Sequence, residues 1–455
     1  MDYGINDYFL KSVLGAGPAG LSAALRLAKQ GIKVEVIEAE PQVGGLCRTI
    51  QHNDFFFDLG GHRFATTDKE LEKEIKLLLG SELVTRTRIS TIWLNKRHIN
   101  YPLELIDLLT KMNIFTSIRC IFDYVMSILR RSIISSSDIT FEDWVRNRFG
   151  KGLYSIYFGP YSTKLWGILP NLISADWADY RITLINLWDV VLRLFKIKKD
   201  TPTTYIKDFY YPKSGGIGRI SECMADVIQA NGGIIHLNST VKELQVEKGL
   251  VVYLKDGILN SREYDFVIST IPLPELIGMI SPTPANEYLE AASNLRFRGI
   301  RFFNLCLNKE RVSENTWIYV PSKDIIFFRI QEPKNWSEHN APPGKTSLIL
   351  EIACNKGDYV WNMDDKLIYK LCIDGLKKMG FDLDGYVTDY FSIRVPDAYP
   401  IYTLDYKAHQ GKLFEFLAQY KKVVCCGRQG LFWYNAMDEA MCSGFEAADK
   451  ILAQA

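Results

Sequence analysis

The chain has almost no net charge. Its 455 residues carry 54 Lys and Arg against 53 Asp and Glu, a balance of +1, which gives no footing for nucleic acid or another polyanion. A cysteine framework is also missing. The nine cysteines are odd in number, scattered, and never spaced C-x-x-C. That excludes a disulfide scaffold and a zinc site, and it fits a reducing compartment. No run of ~20 uncharged apolar residues occurs, so no transmembrane helix is expected. The first residues, Met-Asp-Tyr-Gly-Ile-Asn-Asp-Tyr, lack the basic and apolar regions of a signal peptide. The expectation is a cytoplasmic chain without a bound metal. There is no internal repeat, and the length favours two or three domains over one compact unit.

What the sequence does contain is a glycine loop. Residues 10–20 read Leu-Lys-Ser-Val-Leu-Gly-Ala-Gly-Pro-Ala-Gly, so Gly15, Gly17 and Gly20 form a G-x-G-x-x-G. An apolar run precedes it, a helix-like stretch over 18–30 follows, and 32–38 reads as a second strand. The first glycine of such a loop allows the tight turn, the second admits a pyrophosphate, and the third lets helix and strand pack closely. The helix N-terminus offers free N–H groups and a positive dipole end to phosphates. Glu38 ends the second strand, where the acid that bonds ribose hydroxyls is expected. The loop alone is a weak signal; with the strand, helix, strand and acid around it, it predicts a dinucleotide site.

Further along, Gly44-Gly45 and Gly60-Gly61 are glycine doublets between β-like runs, where backbone can approach a ligand. Residues 89–101 read as a hairpin. From 103 to about 199 the spacing turns helical, with segments 103–112, 113–135, 140–150, 151–166 and 176–197. The stretch 114–134 is the most apolar, though Arg119, Asp123, Arg130 and Arg131 interrupt it. It reads either as a buried bundle helix or as a membrane-surface helix with a basic end. A helix is expected at 219–231, a strand pair near 233–245 and 249–255, and a buried strand at 264–272. The segments 296–308, 316–320, 325–331 and 346–354 form a mainly antiparallel sheet. A strand at 422–428 and a helix from 437 to 453 close the chain. Gly216-x-Gly218 lacks a third glycine, because residue 221 is Ser. No second nicotinamide-type loop is therefore expected, and a reductant has to come from solvent or from another protein.

An ordered set of motifs now stands out: Gly15-x-Gly17-x-x-Gly20, Glu38, Gly44-Gly45-x-x-Arg48-Thr49, Phe57-Asp58-x-Gly60-Gly61-His62-x-Phe64, and Gly427-Arg428 followed by Tyr434 and Met437-Asp438. The set resembles the flavoproteins of the amine-oxidase and protoporphyrinogen-oxidase clan. Within that clan the chain is similar nearly end to end to the UDP-galactopyranose mutase family. Tyr161-Ser-Thr-Lys-Leu-Trp166-Gly167, Leu295-Arg-Phe-Arg298 and Tyr399-Pro400 extend the likeness.

The resemblance implies an α/β fold. It has a discontinuous Rossmann-like FAD-binding domain (1–66, 208–292 and 405–455), a sheet-containing substrate domain (67–102 and 293–404) and an inserted helical domain (103–207). It implies FAD as cofactor. Gly15, Gly17 and Gly20 would hold the pyrophosphate and Glu38 the adenosine ribose. Gly44, Gly45 and Arg48 would lie by the pyrophosphate, and Gly60, Gly61 and His62 by the isoalloxazine. Val241 would meet adenine, and the Gly427-Arg428 strand end and Met437 would meet the ring. A helix N-terminus at Met437 would favour negative charge at the flavin N1/O2 edge. The implied activity is pyranose/furanose ring isomerisation of a nucleotide-linked sugar through reduced flavin N5. The implied catalytic set is His62, Arg298, Arg428, Tyr399 and Tyr434. Tyr161, Trp166, Arg181, Arg298, Tyr399 and Tyr434 would bind substrate. Arginines suit a diphosphate because they stay charged and are fork-shaped.

The likeness has gaps. Arg181 matches the first of two arginines in the family's mobile loop, but Ile185 stands where the second belongs. A different carrier, sugar or reaction is therefore open. The alternative is an FAD oxidoreductase of the same clan that removes hydride from an amine or a lipid-like substrate. Residue by residue, plainer roles also stand. His62 could be a packing histidine and Arg298 could lie on a solvated edge strand. Arg428 could pair with a structural carboxylate, and Tyr161 and Trp166 could be helix core. A homodimer and a peripheral membrane contact are both compatible with the sequence.

Overall fold

A computed structural model describes residues 11–101, 111–133, 137–181 and 208–454. The glycine loop sits at the centre of a five-stranded, all-parallel sheet. The strand order is Val423–Cys425, Phe266–Ser269, Lys11–Leu14, Val34–Ile37 and Ile234–His236. Helix Pro18–Lys29 starts directly at the loop, with Pro18 at its first position and Gly17 as its N-cap. Proline is favoured there because its missing N–H would be unpaired in any case. Helices Gly218–Ala230 and Met437–Leu452 pack beside it. Together these elements enclose a core of Val13, Leu21, Val34, Met224, Ile268 and Met441. This is the doubly wound α/β arrangement expected from the sequence.

Two further sheets complete the frame. The first has four strands in the order Ile258–Glu263, Leu250–Lys255, Ser239–Gln245 and Ile280–Ser281. The expected strand at 233–245 splits here: Ile234–His236 joins the parallel sheet and Ser239–Gln245 the four-stranded one. Asn238, at φ 52°, makes the turn between them. The second sheet has seven strands, in the order Val387–Pro400, Phe297–Leu307, Thr346–Cys354, Arg329–Gln331, Trp317–Tyr319, Ser90–Leu94 and Arg97–Asn100. Only the Trp317–Tyr319 and Ser90–Leu94 pair is parallel. The fourteen-residue strand Val387–Pro400 was not expected. Neither was helix Asp365–Lys378, which covers one face of this sheet by packing its Ile368 and Leu376 with Phe303 and Leu305.

The opposite face of the seven-stranded sheet meets the helical unit. Helices Ile114–Ile133, Phe141–Leu153 and Gly159–Trp166 follow one another there. A π-helical turn over Tyr154–Phe158 joins the last two. Thr140 caps the second helix through the Asp143 N–H while Asp143 bonds back to Thr140, the reciprocal arrangement that fixes a helix start. Of the remaining helical segments expected from the sequence, 103–110 and 182–197 lie outside the described residues.

Candidate functional site

A cavity of about 620 Å³ runs from Glu38, Ser239 and Val241 at one end to His62, Arg428 and Met437 at the other. The glycine loop forms its middle. Gly15 has φ +100°, a conformation L side chains rarely adopt, and a side chain there would also collide with Thr270. A Cβ on Gly20 would run into the carbonyl of Gly15. Gly17 differs. An added Cβ would meet nothing closer than the Gly45 Cα at 3.8 Å, so its bare face opens onto the cavity it lines. Two of the three glycines are thus demanded by packing, and the third leaves room for a ligand.

Glu38 is buried at the far end. Its carboxylate accepts N–H bonds from Ala16 at 2.6 Å and Glu40 at 2.8 Å. Burial nevertheless pushes its pKa up, so a hydroxyl donor would find a partly desolvated acceptor here. Arg48 lies across from it, bonded to the Gly45 carbonyl at 2.9 Å and 3.4 Å from Glu40. Gly45, Arg48, Val241, Gly427, Arg428 and Met437 line the cavity. Gly44, Gly60 and Gly61 do not. Gly61 faces the Trp317 indole, where a Cβ would collide, and a Cβ on Gly60 would stand 3.2 Å from the Phe302 ring. The second doublet lays its loop on the seven-stranded sheet.

The sheet offers that loop a single cross-strand row: Phe302, Glu351, Arg329 and Tyr319 are register partners in succession. Neither Glu351 nor Arg329 was foreseen from the sequence. Arg329 holds Glu351 by two bonds of 2.7 Å and reaches the Tyr399 hydroxyl at 3.4 Å. Gln331 bonds the same carboxylate. His62 lies close by. Desolvation, then the Arg428 and Arg329 cations, lower its pKa to about 3, so its imidazole is neutral at physiological pH.

Arg428 has no carboxylate partner among the described residues, contrary to the structural pairing considered from the sequence. It donates to the carbonyls of Ala398 and Asn435 at 3.2 and 2.6 Å. Its guanidinium lies 5.4 Å from the Tyr399 ring and 5.3 Å from the Tyr434 ring. Trp166 packs on both tyrosines, at 6.1 and 5.9 Å between centroids. Its buried indole N–H has no partner among the described residues. Tyr161 stands in a second aromatic group with Tyr157, Tyr319 and Phe328.

Arg298 departs from the edge-strand reading. Its strand is interior to the sheet rather than an edge. Arg298 is buried and donates to the Leu165 carbonyl at 2.8 Å and the Asn355 side chain at 2.6 Å. It is absent from the cavity wall, and it ties down the end of the helix that carries Trp166. Arg301 takes the other face, where it bonds the carbonyls of Val360 and Met363 and the Asp365 carboxylate. Arg181 ends helix Asp176–Arg181; its side chain and Ile185 lie outside the described residues.

Lys164 was also missed. From the helix bearing Tyr161 and Trp166, its ammonium donates to the carbonyls of Val320, Ser322 and Phe327 at 2.6–3.0 Å. Burial brings its pKa down to about 7. The Gly216-x-Gly218 loop has a packing explanation. A Cβ on Gly216, which has φ +66°, would strike Thr49 and Asp58. Asp58 accepts from Thr49, Tyr211 and the Ile217 N–H.

The cavity fits FAD. It is elongated, with an acid at one end and a glycine-lined middle. At the other end lies the N-terminal turn of helix Met437–Leu452, and Ala436, Met437 and Ala440 all line the cavity. Asn435, also on the wall, is 0% exposed, and neither its side-chain oxygen nor its nitrogen has a partner among the described residues. A buried amide left without partners is costly, and a polar ring edge at this end would satisfy it.

The fold and this site define an FAD-dependent flavoenzyme built on a dinucleotide-binding sheet. The chain belongs to the flavin containing amine oxidoreductases, whose family model matches residues 18–452. A 4,4'-diapophytoene desaturase from Methylomonas sp is 27% identical over 399 residues, covering 76% of this chain and 73% of the desaturase. A mitochondrial protoporphyrinogen oxidase from Nicotiana tabacum is 28% identical over 316 residues, 61% of each chain. The crystal structure of a reduced UDP-galactopyranose mutase superposes with a TM-score of 0.87 at 22% identity, covering 98% of this chain and 94% of that one.

Proposed function

We propose that the enzyme isomerises a nucleotide-linked sugar between its pyranose and furanose forms, with FAD in the reduced state. The observation that carries this reading is Arg428. It is a guanidinium on the cavity wall, beside two tyrosine rings and, among the described residues, bonded only to neutral carbonyls. Such a group is poised for an anion such as a diphosphate. The Tyr399 hydroxyl and the Trp166 N–H add neutral donors beside it. Arg329, a second cation near His62, is already balanced by Glu351 and serves better to orient Tyr399 than to bind phosphate. Neutral His62 can exchange a hydrogen bond with a sugar hydroxyl without adding charge. When bound and reduced, FAD supplies a nucleophilic N5 and leaves the substrate at its starting oxidation level. Trp166, Tyr399 and Tyr434, packed together beside Arg428, would shield that exchange from water.

The test is incubation of the dithionite-reduced protein with a panel of UDP- and dTDP-linked hexopyranoses, read by NMR. A new furanose anomeric signal supports the proposal. Its absence across the panel, together with bleaching of the oxidised flavin by a polyene, a porphyrinogen or an amine, supports the second reading, a hydride-removing oxidoreductase. That reading is favoured by the two sequence relatives, a desaturase and a protoporphyrinogen oxidase.

A further inference from the structure

Helix Ile114–Ile133 is turned the unexpected way round. The side packed on helix Phe141–Leu153 carries small and polar residues. Ser117 is 1% exposed, Cys120 3% and Ser127 9%. Cβ atoms on Gly150 and Gly152 of the facing helix would strike the backbone of Asp123 and Cys120. The solvent side is apolar. Ile114, Phe115, Ile118, Phe122, Val125, Met126 and Leu129 are 40–79% exposed, with Phe115 at 79% and Phe122 at 63%. At 100° per residue these seven fall within an arc of about 120°. Ordinary folding buries such a stripe and exposes the serines. Seven large apolar side chains on one exposed face make an interaction surface.

The charges around the stripe identify its occupant. Arg119 and Arg130 both lie along one edge of the arc, and both are exposed. Arg131 stands exposed at the helix end. The helix contains a single acid, Asp123. It lies beyond the arginine edge and is 3.9 Å from Arg119. An apolar arc with a basic rim is the pattern of a helix lying in a membrane interface, its stems in the acyl boundary and its cations at the headgroups. A second copy packed antiparallel on this face would bring the Arg119–Arg130 edge against the same edge of its mate, setting like charges together. No helix among the described residues is long and apolar enough to cross a membrane.

We propose that this face docks the enzyme on an anionic lipid bilayer. The contact is peripheral and parallel to the membrane plane. It is one helix removed from the site, because helix Phe141–Leu153 continues through the π-turn into the helix that carries Tyr161 and Trp166.

The experiment is flotation of the full-length, FAD-loaded protein with vesicles. One set is phosphatidylcholine alone and the other contains added phosphatidylglycerol. The expected result is flotation with the anionic vesicles, weaker by about tenfold or more with the neutral ones. Flotation should be lost in the variant Phe115→Ser, Phe122→Ser, Met126→Ser and reduced in Arg119→Glu, Arg130→Glu. Because these side chains are exposed, both variants should keep full flavin content and the parental melting temperature, which shows that the loss is not unfolding. A protein that stays soluble with both vesicle types overturns the proposal. So does equal binding to both, and so does a dimer in light scattering that the triple substitution converts to monomer.

Discussion

Arg329 and Glu351 are direct register partners on adjacent antiparallel strands, joined by two 2.7 Å bonds with Glu351 0% exposed. The pair forms the floor on which the Gly60-Gly61-His62 loop rests. Removing one member leaves the other as an uncompensated buried charge. Glu351→Ala should therefore cost about 3–5 kcal/mol of stability, measured by urea unfolding of the FAD-loaded protein. Glu351→Gln should lose somewhat less, because the amide can still accept one bond from Arg329.

The glycine loop separates fold from cofactor. Gly17→Val should give a folded but colourless protein, since its Cβ direction is open toward the cavity. Gly20→Val should fail to fold, since its side chain must enter the Gly15 carbonyl. Circular dichroism and flavin absorbance on the two purified variants check both outcomes. A yellow, stoichiometrically loaded Gly17→Val protein would contradict this placement of the pyrophosphate.

Asp58 makes stability depend on pH. Burial raises its pKa to about 6 despite three hydrogen bonds. A carboxyl raised in the native state binds protons there before the unfolded chain does. Its ionisation therefore costs stability above pH 6, and the cost is relieved as pH falls toward 4, by at most about 3 kcal/mol. Urea midpoints of the parent and of Asp58→Asn, measured from pH 7 to 4, should diverge in the parent's favour as pH falls.

His62 behaves in the opposite sense. Its native pKa lies near 3, below the unfolded value of 6.5, so the stability it contributes is lost as pH falls from 6.5 toward 3. Between pH 5 and 8 its NMR signals should not titrate, and replacing it should lower turnover without removing a limb of the pH–rate profile. Arg329→Met should move the His62 pKa upward.

Much of this was legible in sequence where a local pattern carried it. The loop, its helix and Glu38 fall within one βαβ unit, so spacing alone located them. Arg428 and Met437 were legible through a motif at the chain's end. Arg329 and Glu351 carry no motif. They lie 22 residues apart on two strands, and only the register of those strands makes them neighbours. The edge-strand reading of Arg298 failed because strand order, which local charge does not reveal, makes its strand interior. In the structure the Arg298 side chain binds the Leu165 carbonyl. Lys164 looked like an ordinary helix lysine, since nothing local foretells three carbonyls arriving from residues 320–327. The split of 233–245 between two sheets turns on one residue with positive φ, Asn238, within a polar Asn-Ser-Thr run that a single-strand reading passes over.

The most direct test of the proposed function compares one sample in two redox states. UDP-galactopyranose is incubated anaerobically with the oxidised protein, then with the same protein after dithionite, and followed by proton NMR. The account predicts a furanose anomeric signal only after reduction, no net reoxidation of the flavin, and loss of the signal per bound flavin in Arg428→Ala. Unchanged sugar after reduction, with reoxidation of the flavin coupled to an added organic acceptor, would contradict it.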